Sequence, residues 1–458
     1  MRLIPDRADL RALIQLAIPI VSVQVGLMFM GVVDSVMVGH ISARALAAVA
    51  LGNLVFFAAG IFGIGVLLAL DPIIAQAVGA RDGVAIARGI QRGFIITIGL
   101  TLVLSAFFPL TERVLSALGQ PDEVVPVAAM YVLRVMPSML PVLGFVVLRQ
   151  TLQAMGHLNP IVWTTVAANL LNAGLNWILI FGKLGAPALG VIGSAWATTI
   201  SRWAMLFALL VTGWPLLRPY LQPRRDAFAL APIMRMLKLG IPIGVSHFVE
   251  YANFAAIALL MGLLGTTAMA AHQIAINIAS LTFMVPMGVG AAASVMVGNA
   301  IGRQDAPGAR RFAYAALVVG AGFMCVSALF MLTVPQLLAR IYTNDAAVLA
   351  IAVVLLPIAG LFQVFDGLQV VGSGVLRGAG DTRVPMVMGL AGFWLIGMPI
   401  SIYLGLFTPL AAAGLWWGFV AGLGSVAFLL VTRIRRRFAG ELRRIVVDDH
   451  VREIGTAI

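Results

Sequence analysis

Apolar residues fall along this chain in long unbroken runs, each ending at a short polar or Gly/Pro-rich gap. A helix needs about 20 consecutive apolar residues to cross a bilayer, whereas a barrel strand alternates its two faces. The runs therefore predict helices, with spans at 13–39, 46–70, 93–111, 124–148, 160–182, 189–212, 233–264, 269–298, 312–335, 347–376, 384–406 and 410–432. The expected fold class is an all-α polytopic membrane protein of about twelve transmembrane helices. Composition agrees: 61% of the 458 residues are hydrophobic and 10% charged, against roughly a quarter charged in a soluble domain.

The net charge is +12, and its distribution argues against a nucleic-acid partner. If the spans alternate in direction, 24 of the 30 basic residues fall on one side of the membrane. They include Arg2, Arg7 and Arg11, then Arg81, Arg88 and Arg92, and the tail from Arg433 to Arg452. The other side holds only Arg44, Arg113, Lys183 and Arg340, while Arg134 and Arg202 lie inside spans. Cytoplasmic loops collect Arg and Lys, so both termini are expected in the cytoplasm. The first 20 residues lack a small-residue cleavage site and read as a lead into span 1, not a cleaved signal. The single cysteine, Cys325, leaves no disulfide framework.

The second half repeats the first. An offset of 223 carries Leu16, Ile18, Pro19 and Ile20 onto Leu239, Ile241, Pro242 and Ile243. The same offset carries Gly79 onto Gly302, Asp82 onto Asp305 and Arg88 onto Arg311; an offset of 224 carries Leu152 and Gly156 onto Leu376 and Gly380. Shared membrane composition would scatter identities, but not hold register through a polar loop. Copies of six spans start on the same side, so the repeats are parallel. The division expected is 1–213 for the first lobe, 214–232 for a cytoplasmic proline-rich linker, 233–432 for the second lobe and 433–458 for a basic tail. The run Arg433–Arg437 suits anionic headgroups.

Carboxylates at mid-membrane depth cost at least about 2.5–3.5 kcal/mol each, so they face a cavity, bind a cation or pair with a base. Asp34 in span 1, Glu250 in span 7 and Asp366 in span 10 are of this kind. Ser246, His247 and Asn253 share the helical face of Glu250, and Gln363 and Gln369 that of Asp366. Buried carboxyls exchange protons near neutral pH, and clustered ones offer hard oxygen ligands to a cation. The alternative is a structural ion pair with Arg134 or Arg202. Asn169, Asn172 and Asn176 share one face of span 5, and Thr198 and Thr199 of span 6 can join them beside Asp34. Such amides either line a polar pocket or join helices by hydrogen bonds. Gln273 and Asn277 lie one turn apart, His272 reads as a core histidine, and Asp71 before Pro72 as a cap on a broken helix. Asp448, Asp449 and His450 in the tail are a poor metal set.

No Gly-rich phosphate loop, paired His/Cys ligands or Asp-rich metal pair is present. The chain is therefore not expected to be an enzyme or to carry a resident cofactor or metal. An ion gradient, of Na⁺ or H⁺, is the energy source left.

The stretch GVVDSVMVGH at 31–40 resembles the first-helix signature of MATE (multidrug and toxic compound extrusion) transporters. FDGLQVVGSGVLRGAGDTR at 365–383 resembles the tenth-helix signature of their NorM-like branch, Glu250 falls at its seventh-helix acid, and NAGLNWILIFG at 172–182 resembles the fifth helix. The likeness runs from about residue 13 to 431. It implies two six-helix lobes forming a V-shaped cleft in a bacterial inner membrane. It also implies efflux of amphipathic, often cationic drugs in exchange for Na⁺ or H⁺ by a protein that works as a monomer among membrane lipids. By this resemblance Glu250 and Asp366 belong to the coupling-cation site of the second lobe, while Asp34, Asn172, Asn176 and Thr198 form the polar pocket of the first. Asn176 departs from a related branch, which carries a second acid there, and Asp71 stands where a small polar residue is expected. Competing readings are a lipid-linked saccharide flippase of the same superfamily, a membrane-embedded enzyme and an ion channel. A flippase for a pyrophosphate would want more cleft bases than Arg134 and Arg202.

Overall fold

The structure is a computed structural model and describes residues 5–448. Arg2, Arg452, Asp449 and His450 lie outside the described residues. Twelve helices are long and apolar enough to cross a membrane. In chain order, spans 1 to 6 are Arg7–Gly39, Ala43–Gly79, Gly83–Ala117, Val125–Ala154, Asn159–Phe181 and Val191–Tyr220. Spans 7 to 12 are Leu230–Leu263, Thr266–Gly302, Ala306–Thr333, Ala346–Gly378, Arg383–Leu406 and Ala411–Ala439. Helices are the form that lets a single segment satisfy every backbone N–H and C=O within hydrocarbon.

The helices overrun the apolar runs, chiefly at one end of each hairpin. Span 3 starts at Gly83 rather than 93, so Arg88 and Arg92 sit in its first turns and not in a loop. Span 2 continues to Gly79, interrupted only at Leu68–Ala69. Pro72 explains the break, since it has no N–H and its ring clashes with a helical carbonyl four residues back. Asp71 is fully buried in the first turn after this break, where the helix dipole favours an anion.

The internal repeat is conformational as well as sequential. Arg81 and Gln304, 223 residues apart, both adopt left-handed backbone (φ 57° and 61°). Each is followed by an aspartate that caps the next helix: Asp82 accepts from Ala85 N at 2.9 Å and Asp305 from Gly308 N at 2.8 Å. Gly156 and Gly380 repeat the device at the ends of spans 4 and 10, with φ of 79° and 74°.

The chain packs as two compact units, Met1–Val21 with Val245–Ile445, and Ser22–Gly244 with Val446–Ile458, as far as these residues are described. This division differs from one at 213 and 233: the leading ends of spans 1 and 7 each pack with the six-helix set of the opposite repeat. Equivalent arginines hold both ends. Arg311 Nε donates to Asp9 Oδ2 at 3.1 Å in one unit. Arg88 Nε donates to Asp226 Oδ2 at 2.7 Å in the other. Asp448 is a partner of Arg92, at 2.7 Å. The tail run is likewise part of span 12, and its Arg433 is tied to Asp381 at 2.7 Å.

The Arg88 guanidinium, donating to Asp226, holds that carboxyl below the usual carboxylate range. A depressed carboxyl contributes stability above its unfolded value, 3.8, and loses it as pH falls through the lower folded value. Asp226 is largely exposed, so the pair contributes less than about 1 kcal/mol. Asp226→Asn should therefore melt slightly below wild type at neutral pH, and the two melting curves should converge in acid. A gap that widens in acid would contradict this assignment.

Candidate functional site

In the unit containing spans 2 to 6, Asp34 lies near the end of span 1 and is 3% exposed. Asn176 Nδ2 donates to its Oδ1 at 2.6 Å, and Thr198 Oγ1 donates to its Oδ2 at 2.9 Å. Asn176 Nδ2 also donates to Asn172 Oδ1 at 3.2 Å, across one turn of span 5. Three helices thus deliver four polar side chains to one buried point. Asn176 Oδ1 keeps no hydrogen-bond partner there. An orphaned amide oxygen beside a carboxylate suits a transient cation or a protonated acid.

Two residues expected to join this pocket do not. Asn169 spends its amide on the carbonyls of Gly26 (3.0 Å) and Thr165 (2.9 Å), tying span 5 to span 1. Thr199 donates to the Arg134 carbonyl at 3.0 Å. Shared helical face was a sound criterion for Asn172 and Asn176, but it cannot tell a pocket amide from one facing a backbone carbonyl.

In the other unit Glu250 of span 7 and Asp366 of span 10 lie within electrostatic reach of one another. Asp366 is 4% exposed and its Oδ1 has no hydrogen-bond partner. Gln369 reaches the Glu250 carboxyl, and His247 Nδ1 lies 3.9 Å from Glu250 Oε2. Gln363 is structural instead. It accepts from Ser327 Oγ at 2.7 Å and donates to the Ala279 carbonyl at 3.3 Å and to Thr282, joining spans 8, 9 and 10. Asn253 is likewise turned away, donating to the Phe393 carbonyl at 3.3 Å. His272 is buried with its ring 5.7 Å from Trp416, and Gln273 donates to Asn277 at 3.0 Å.

Among the described residues no arginine or lysine forms a salt bridge with Asp34, Glu250 or Asp366. Arg202 acts on Asp34 only through space, without a direct bridge. Two carboxyls within electrostatic reach of one another repel when both are charged, and a proton or a bound cation relieves that repulsion. Sequence reasoning treated Arg202 as a possible partner for an acid or a candidate cleft base, and did not place it beside Asp34. Its place one turn from Thr198, on the same face of span 6, is the signal that would have set it beside the Asp34 pocket.

Comparison with known proteins identifies the family. The MatE family model matches the chain twice, at residues 19–178 and 242–403, one match per repeat. The chain is 36% identical over 439 residues to a probable multidrug resistance protein NorM of Bradyrhizobium diazoefficiens, covering 93% of this chain and 94% of that protein. It is 36% identical to the multidrug resistance protein MdtK of Edwardsiella ictaluri, covering 93% and 95%. The fold matches that of the eukaryotic MATE transporter AtDTX14 with a TM-score of 0.86 at 22% identity, covering 94% of this chain and 98% of that one. Two family-model matches in register with the internal repeat, and relatives aligned along nearly their whole length, make this multi-pass membrane protein a member of the MatE family, within its NorM-like branch.

Proposed function

We propose that the protein is a secondary active multidrug efflux antiporter, exporting amphipathic and cationic drugs in exchange for Na⁺ or H⁺. The observation that carries this reading is the pair Glu250 and Asp366, within electrostatic reach of one another in the spans, with no arginine or lysine bridged to either among the described residues. An entering cation or proton relieves their repulsion, and its departure restores it. Exchange follows if ion and drug each favour a different conformation, since a ligand shifts an equilibrium only by its differential affinity. Asp34 with Asn172, Asn176 and Thr198 forms a second site, where the carboxyl trades a proton or cation within a preformed polar pocket. The multidrug resistance proteins named above support efflux over a flippase or an enzyme. The Arg-rich side supports an inner-membrane protein with both termini in the cytoplasm. Drugs and surrounding lipid are its partners, and it acts as a monomer.

Purified protein in proteoliposomes tests the reading. A cationic dye should move when either a Na⁺ or an H⁺ gradient is imposed alone, in the direction opposite to the ion. Dye movement that ignores both gradients would overturn antiport.

A further inference from the structure

Arg202 sits about 17 Å along the helix from Val191, near the middle of a hydrocarbon core about 30 Å thick. That depth is too great for its head to snorkel to either surface, so a guanidinium there requires compensation. The structure supplies little. Arg202 Nη1 donates to Ser138 Oγ at 2.8 Å, and the guanidinium lies over the Phe56 ring at 4.7 Å from its centroid. No carboxylate forms a salt bridge with it among the described residues. The nearest acid is Asp34, which acts on it through space, and both Asp34 oxygens already accept from Asn176 and Thr198.

A guanidinium carries five N–H donors in a planar fork. Here one is matched, and the side chain is only half-buried, so the remaining edge is open. Phe56, Ser138 and Tyr131 around it are buried, with Tyr131 Oη committed to Asn53 Oδ1 at 3.1 Å. The fork is thus held by a hydroxyl on one side and a ring on its face, as bidentate oxyanion sites require. We propose that Arg202 is a specificity-determining residue that recognises a carboxylate or similar oxyanion on the substrate. This deepens the efflux reading and rests on it: the substrates then include organic anions and zwitterions as well as cations.

The test uses one xanthene dye in two forms, the free carboxylate and its methyl ester, exported from proteoliposomes or cells. In Arg202→Met the acid-to-ester export ratio should fall by about tenfold or more, the worth of one charge-assisted pair. Arg202→Lys, which keeps the charge without the fork, should recover part of that ratio. A merely structural arginine would lower both forms together and leave the ratio unchanged, which overturns the proposal. So does a wild type that exports the ester and not the acid. A wild type that exports neither form sinks the efflux reading itself. Binding to the wild type frees the test from variant folding: a non-fluorescent aromatic carboxylate should displace the bound acid dye and its neutral amide should not. Equal displacement by both counts against Arg202.

Discussion

Asp366→Asn and Glu250→Gln should each cut gradient-driven drug export in proteoliposomes by about a hundredfold or more, while the protein melts no lower than wild type. The first half of this expectation comes from Coulomb's law. A unit charge about 4 Å from a cation is worth about 4 kcal/mol at an effective dielectric of 20, or nearly three powers of ten in affinity. An amide of the same shape keeps the dipole and loses the charge. The second half comes from burial. Asp366 is 4% exposed with one oxygen lacking any partner, and it lies within electrostatic reach of a second carboxyl. Such a pair is a cost to the fold that function alone retains, so neutralising one member relieves repulsion. Gln363→Leu provides the contrast. Its amide joins three helices, so it should lower the melting point. A loss of export in Asp366→Asn accompanied by a comparable loss of stability would mean that the acid is structural.

The membrane topology was legible because hydrocarbon imposes a single strong rule, and the twelve apolar runs obey it one for one. The ends were not, because the rule weakens at the interface. Arg7, Arg11, Arg88 and Arg92 read as loop residues, yet all lie inside helices, where long basic side chains reach polar groups from the first turns. The pocket of Asp34, Asn172, Asn176 and Thr198 could be assembled from helical face and resemblance, since two of its members lie one turn apart on a single helix. Tyr131, Ser138 and Asn53 could not. They come from spans 2 and 4, and their meeting with Arg202 depends on how helices rotate against each other, which periodicity does not encode. Asp448 was hidden for a further reason. Its partner Arg92 is 356 residues away in sequence, and nothing local marks a tail aspartate as the counter-ion of a buried arginine.

That distant pair sets up the second large effect. Arg92 is 1% exposed, and Asp448 grips it with both oxygens, at 3.2 Å from Nη1 and 2.7 Å from Nη2. The Asp226 carbonyl accepts from Nη2 at 3.1 Å, and Nε has no partner. Asp448→Asn would leave a buried guanidinium with only neutral acceptors, which typically costs about 3–5 kcal/mol. The reverse change is gentler. Arg92→Met removes the buried charge itself, and the Asp448 side chain, 13% exposed and still 3.4 Å from Arg88, can turn to that arginine or to water. The expected order of melting points is therefore wild type highest, Arg92→Met below it and Asp448→Asn lowest. The double variant should recover most of the loss, because an apolar residue in place of a buried ion is well tolerated. Salt should change this order little, since the pair is shielded from the solvent that screens surface charges. Arg92→Met melting as low as Asp448→Asn, with no recovery in the double variant, would show that Arg92 acts through its packing rather than its charge, and that Asp448 is an incidental neighbour.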